Sequence, residues 1–414
     1  MILFTLRWLA LPLAGLAAFW IALSEYQTLR NLDWARPDVS LSQLETRQPW
    51  GGLSGRAVAA AVDDAPGLEP EAAEAVLAWQ LQRYPLDPAR WFSRALHARR
   101  GGESQERILQ HVQAAVAVHP GHRNLNWQVA ALGYELLRYD LAEQHLRHWL
   151  RGNPGGTADA LSVASLWIAD PADLFERVLP EGEQYVLAAL AVARRFGWVE
   201  LGAEAWYRLP QPRPPQDPAL LDFVDLAIAE GEWGLAMTAW ADSFPDYLPG
   251  EVPNADFQHE VGDGRGLNWR TRMPDGARVS RDLETFVTEP ASLRVDFDGR
   301  ENLRMHNHPV LRIPTLEGPR AWLLSGYWRA EGLTTANLPY LSVTGGEGAA
   351  ARIDVPAAAF DWTPFSIEIE TSGTPRILDL RIRRDPTRLD FDRFLAGRLW
   401  LDALRLEPAP TVSD

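Results

Sequence analysis

The stretch Trp322-Leu323-Leu324-Ser325-Gly326-Tyr327-Trp328-Arg329-Ala330-Glu331-Gly332 decides how the carboxy-terminal part of the chain is read. Large apolar residues recur at alternate positions, the two-residue period of a strand with one face buried. With Trp322, Leu324 and Trp328 turned into a core, Leu323, Ser325, Tyr327 and Arg329 project outward. The same alternation puts Leu293, Val295 and Phe297 on one face of Ser292–Phe297, and Phe365, Ile367 and Ile369 on one face of Phe365–Glu370. Further strands are expected at Ala277–Arg281, Asn302–Ile313, Pro339–Thr344, Ala351–Val355, Arg376–Arg383 and Arg398–Leu406. About nine or ten short strands in this space indicate an antiparallel β-sandwich over residues 250–408, followed by a tail, 409–414.

Working outward, the motifs follow a definite order. Asn254-Ala255-Asp256-Phe257-Gln258 precedes a Gly-rich turn and Trp269; then come Ser292-Leu293-Arg294-Val295-Asp296-Phe297-Asp298-Gly299, the Trp322–Gly332 stretch, Trp362 ahead of Phe365, and the closing Gly397-Arg398-Leu399-Trp400-Leu401-Asp402. Over residues 252–408 this order resembles the jelly-roll carbohydrate-binding modules appended to bacterial xylanases and glucanases, within the galactose-binding-like group. The resemblance implies a jelly roll that binds a glycan. It also implies a structural calcium joining the first strand to the last, held by Asp256 or Gln258 and Asp402, since carboxylate and carbonyl oxygens suit that ion. Gln258 stands where the family usually has an acidic residue, which removes a charge from the set. The other reading of Asp402 is a cap for the turn before Leu404. No other cofactor is required.

Strand parity supplies the candidate glycan face. Arg294 and Asp296, Tyr340 and Ser342, and Asp379, Arg381 and Arg383 are expected on outer faces beside Tyr327 and Arg329. One shared concave face would then offer Tyr327 for stacking on a sugar ring, with Arg294, Arg329, Arg381 and Asp296 for hydroxyl or carboxylate groups; Arg suits planar, bidentate capture of uronic acids. The same residues read equally as a solvated face of charge pairs. Trp269 and Trp362 are expected on loops, either beside the site or as core plugs at the sandwich rim.

Upstream, residues 70–249 change period. From Pro70 to about Pro245 Ala, Leu, Glu and Arg recur at helical spacing between short Gly/Pro turns. Pro85, Pro120 and Pro154 mark successive intervals, and Gly197 with Gly231 and Trp206 with Trp240 repeat in register. The spacing resembles tetratricopeptide repeats, with Trp127, Ala130, Ala131, Tyr134, Leu146 and Pro154 tracing one unit. That resemblance implies an α-solenoid of helical hairpins whose Trp residues are core and whose surface docks a protein partner. Residues 157–180 depart from the pattern, and 25–69 read as a spacer and capping helix.

Residues 1–24 are almost wholly apolar and read as a transmembrane anchor, with a cleaved signal as the alternative. The expected placement is therefore the inner membrane, single-pass, with the bulk in the periplasm. A net charge of −15 excludes general nucleic-acid binding, and the lack of cysteine excludes disulfides and thiolate chemistry. No hydrolase, nucleotide or dinucleotide motif is present in a supporting context; His306 and His308 lack a third metal ligand, and the acid pairs Asp296/Asp298 and Asp390/Asp392 do not define a glycosidase geometry. The expected protein is a multidomain α-then-β, non-enzymatic envelope scaffold: the helical repeats hold an envelope protein partner and the sandwich holds a polysaccharide, in exopolysaccharide or cell-surface polysaccharide assembly or export. The alternatives are a purely protein–protein scaffold and a polysaccharide-modifying enzyme.

Overall fold

The structure, a computed structural model, describes residues 70–271, 276–301, 310–346 and 350–409. Eleven helices precede nine strands among these residues. The described residues fall into two compact units: 70–169 with 173–180, and 170–172 with 181–409.

The first unit holds α1 (Pro70–Arg83), α2 (Pro88–Arg100), α3 (Gln105–Val118), α4 (Arg123–Glu135), α5 (Tyr139–Arg151), α6 (Thr157–Ala164) and most of α7 (Pro171–Arg177). Local chemistry starts these helices. Asp87 accepts from the Ala89 N–H with Pro88 at the first helical position, and Ser104 caps α3. Helices α2 and α3 pack together, as do α4 and α5. In the second pair Gly133 permits the approach, since a Cβ there would lie 3.0 Å from the Ala142 nitrogen. A buried polar pair joins the same helices. Asn126 donates to the Pro120 and His122 carbonyls, so its Oδ1 accepts from His145 Nδ1 at 2.7 Å. Burial, with His148 adding a smaller effect, lowers the His145 pKa to about 4, so this imidazole is neutral at pH 7.

The second unit begins with α8 (Glu183–Phe196), α9 (Val199–Arg208), α10 (Pro218–Ala229) and α11 (Trp233–Ser243). The repeat in spacing recurs as structure here. Gly197 and Gly231 both take positive φ just past α8 and α10, and Trp206 and Trp240 are both buried in α9 and α11. By contrast Trp91 and Trp127 of the first unit are only half-buried; Trp127 packs on Trp149 with centroids 4.6 Å apart.

The sandwich of the second unit has a five-stranded antiparallel sheet, order β1 (Ala277–Asp282), β2 (Ser292–Glu301), β9 (Phe394–Pro408), β4 (Ala321–Glu331), β7 (Phe360–Glu370). The other sheet, with four strands, has the order β3 (Leu311–Thr315), β8 (Arg376–Arg383), β5 (Tyr340–Thr344), β6 (Ala351–Asp354). Between them lies one core with Leu293, Val295 and Phe297 of β2, Trp322, Leu324 and Trp328 of β4, and Ile367 and Ile369 of β7. The four-stranded sheet contributes Leu341, Val343, Leu378, Leu380 and Ile382. Alternation therefore places the inward residues as expected. The part of the expected Asn302–Ile313 strand spanning 302–309 lies outside the described residues. Helix α10 is tied to the sandwich by charge. Arg265 pairs with Asp222 and Asp225, whose Oδ1 also accepts the Gly266 N–H at 2.8 Å and meets Arg312 at 3.3 Å.

The membrane expectation is corrected. Among the described residues no helix is long and apolar enough to cross a membrane, so a single-pass inner-membrane placement is not supported. Residues 1–24, on which that expectation rested, and the spacer 25–69 lie outside the described residues.

Candidate functional site

The outer face of the five-stranded sheet gathers most of the expected glycan residues. Cross-strand register sets Arg294 of β2 opposite Trp400 of β9, and Trp400 opposite Arg329 of β4. The next outward row is Asp296, Arg398 and Glu331. Tyr327 pairs with Asp402 on the other side of Trp400 and keeps 38% of its surface exposed. Trp328 and Ala330 bracket an irregularity in the β4–β7 pairing, which leaves Asp361 and Trp362 facing the Arg329 position. Trp362 is half-buried there, within strand β7 rather than on the expected loop.

Trp400 is the residue that parity reasoning left unused. It points away from the core yet is 2% exposed, because the Arg329 guanidinium lies over its ring at 5.3 Å. Its indole N–H donates to Asp282 Oδ2 at 2.9 Å, and the same oxygen accepts from Arg294 at 3.1 Å. Asp282 also accepts the backbone N–H groups of Glu284 and Thr285. Burial alone would push the Asp282 carboxyl up; the bonds from Trp400, Glu284, Thr285 and Arg294 outweigh it and hold the pKa below the ordinary value. Asp282 is thus a fixed anion held beneath Arg294 and Trp400. The signal that would have found it is the Trp at an outward parity position in Gly397–Asp402, which requires a partner for its N–H.

Two expected site residues stand elsewhere. Arg381 lies on β8, in the opposite sheet, and pairs with Asp379 at 2.8 Å. The single shared face is therefore corrected to two faces on opposite sides of the sandwich, because β8 and β2 belong to different layers. Trp269 is 1% exposed, packs on Phe257 with centroids 5.0 Å apart, and donates to the Pro253 carbonyl. It is a core plug, and a ring so enclosed has no face for a sugar.

The expected calcium residues come near one another without forming a cage for the ion. Gln258 turns its amide N–H onto Asp256 Oδ2 at 2.6 Å. Both Asp402 oxygens accept backbone N–H groups, Oδ1 from Ala403 and Oδ2 from Val287 and Thr288. Burial pushes the Asp402 carboxyl up, against the lowering effect of those three bonds, with the nearby Asp256 charge adding to the rise. Calcium takes six to eight oxygens, and among the described residues no group of three His, Asp or Glu side chains is arranged to hold a metal. These residues do not fit the ion. Asp402 instead fastens the β1–β2 connection down onto β9.

No protein-family model and no curated protein matches the chain. Among solved structures, TmCBM61 in complex with β-1,4-galactotriose is 10% identical with a TM-score of 0.27, covering 38% of this chain and 97% of that one. The CBM22-1 xylan-binding domain of Paenibacillus barcinonensis Xyn10C is 14% identical with a TM-score of 0.23, covering 39% and 97%. An apo cyclase from Fischerella sp. matches as well, 13% identical with a TM-score of 0.25 over 39% and 96%. Carbohydrate-binding modules and an enzyme thus stand side by side, and likenesses at these scores carry nothing about the ligand.

Proposed function

We propose that the chain is a non-catalytic glycan-binding protein that holds its ligand on the outer face of the five-stranded sheet. One observation carries this reading: an open aromatic ring, Tyr327, stands one outward position along β4 from Arg329, whose guanidinium lies over the pinned Trp400 of the central strand. Tyr327 stacks on a sugar ring and Arg329 contacts hydroxyl or carboxylate oxygens, while Arg294 is held by Asp282 and Asp296. The helical pairs are proposed to dock a protein partner, and cell-surface polysaccharide assembly or export is the proposed setting.

Isothermal titration of the full chain with uronate-containing and neutral bacterial polysaccharides tests the reading. Binding that weakens at least about tenfold in both Tyr327→Ala and Arg329→Ala, in folded variants, is the expected result. A folded wild-type chain that binds none of the polysaccharides overturns it and leaves a protein-interaction scaffold as the reading.

A further inference from the structure

Four of the nine histidines, His119, His122, His145 and His148, gather at one end of the α4–α5 hairpin in the first unit. The His119 and His122 rings meet edge-on with centroids 5.5 Å apart, and those of His145 and His148 lie 6.0 Å apart. Asn126 links the two pairs. It donates to the Pro120 and His122 carbonyls of the turn that enters α4, and its Oδ1 accepts from His145 of α5. The start of one helix is thereby tied to the body of the next through imidazoles.

Each tie needs a neutral ring, for a different reason. His122 is the N-cap of α4, and its Nδ1 accepts the Leu125 N–H at 3.1 Å. An imidazolium carries N–H groups at both nitrogens and cannot accept there. Its charge would also stand at the positive end of the helix dipole, beside Arg123, in a first turn that holds no acid. His145, by contrast, is 4% exposed, so charging it means burying a cation. The carboxylates of α4 and α5, Glu135, Asp140 and Glu143, are paired with Arg99, Arg138 and Arg177, and neither they nor Asp159 of α6 act on His145. The one charge that does is the like-charged His148. Burial, with His148 adding to it, holds the His145 pKa at about 4 against the ordinary 6.5, so its contribution is fully present above pH 6.5 and is lost as pH falls toward 4. Between pH 7 and pH 5 that shift favours opening about twentyfold. The second unit has no matching feature: among its described residues the only histidine is the exposed His259, and Asp282 keeps its charge throughout this range.

We propose that the α4–α5 hairpin is an acid-sensitive latch, closed by neutral His122 and His145 and opened in mild acid while the β-sandwich stays folded. Hydrogen–deuterium exchange of the full chain at pH 7, 6 and 5, corrected for intrinsic exchange rates, tests it. Amides of residues 123–150 are expected to lose protection at least about twentyfold, while those of β2 and β4 stay within about twofold. His122→Asn keeps a capping oxygen without a titrating ring, and His145→Gln keeps a donor toward Asn126, so in the double variant the loss should disappear. If the buried change unfolds the hairpin, the exposed His122→Asn alone carries the test, and it should reduce the loss about threefold. The proposal is overturned if the wild-type hairpin keeps its protection at pH 5, if β2 and β4 lose theirs in step with it, or if the response is undiminished in His122→Asn.

Discussion

On the outer face of the four-stranded sheet Arg352 lies over the Tyr340 ring at 3.6 Å and is itself held by Asp354 and by Asp385 at 2.9 Å, while Arg381 is paired with Asp379. On the outer face of the five-stranded sheet no cation among the described residues lies over Tyr327, and its neighbour Arg329 sits over Trp400 instead. Both faces carry Tyr, Arg and Asp at outward positions, yet Tyr340 is 8% exposed and Tyr327 is 38% exposed. Composition of a face therefore does not make a site. What matters is whether cross-strand neighbours consume the aromatic surface, and here a second aromatic ring draws the arginine away.

Among changes to the two outer faces, the largest expected effect comes from removing the anion beneath that arrangement. Asp282→Ala leaves the buried Trp400 N–H without an acceptor, strips Arg294 of one partner and frees two backbone N–H groups. A loss of about 3 kcal/mol in urea unfolding is expected, together with loss of glycan binding. The matching change on the other face, Asp354→Ala, removes an ion pair whose partners are 40% and 67% exposed, and should cost under about 1 kcal/mol. Equal costs for the two would show that Trp400 and Arg294 do not depend on Asp282, and the contrast between the faces would fail.

Next in size is the binding contrast itself. Arg381→Ala is expected to leave polysaccharide affinity within about twofold, against the tenfold losses proposed for Tyr327→Ala and Arg329→Ala. Trp269→Ala should instead act on stability, by about 3–5 kcal/mol, since it empties a packed plug behind Phe257. Reversed outcomes, with Arg381→Ala abolishing binding, would move the glycan to the four-stranded sheet.

The sequence carries this division unevenly. Inward residues such as Leu293, Val295, Trp322 and Leu324 follow from a two-residue period, because burial on one face is a local pattern. Parity likewise sends Tyr327, Arg329, Arg294 and Arg381 outward. It says nothing about which of two layers a strand joins, and so Arg381 and Tyr327 cannot be separated without the strand order. Asp282 was hidden for a similar reason: its role depends on Trp400, far away in the chain, across a β2 strand that lies between them. In the helices, Gly197 with Gly231 and Trp206 with Trp240 were legible as a spacing, since both glycines serve the same backbone need.

Acidity separates two carboxylates of the five-stranded sheet. The Asp282 pKa is lowered in the fold, so its stabilising contribution is fully present above the ordinary value near 3.8 and is lost as pH falls through the folded value. Asp402 is raised, so its charge is a growing cost as pH climbs from 3.8 through its folded value. Urea unfolding at pH 7 and pH 3 should therefore show Asp282→Asn more damaging at pH 7 than at pH 3, whereas Asp402→Asn should be relatively milder at pH 7. Parallel behaviour of the two variants would mean that Asp402 is stabilised as an anion by its three N–H donors.

The smallest effect tests whether a lid is all that silences the second face. Arg352→Ala removes the cation over Tyr340 and two exposed ion pairs, for a stability change within about 1 kcal/mol. Among the described residues the positions that flank the uncovered ring on β5 and β8 are Ser342 and Arg383, neither of them aromatic. Stacking on one isolated ring is worth about 1 kcal/mol, too little for measurable capture of a polymer. In the Tyr327→Ala background, where the first face is disabled, Arg352→Ala should therefore restore no binding. Restored binding would show that the two faces differ only by the placement of one arginine, and that Trp400 serves chiefly to keep Arg329 away from Tyr327.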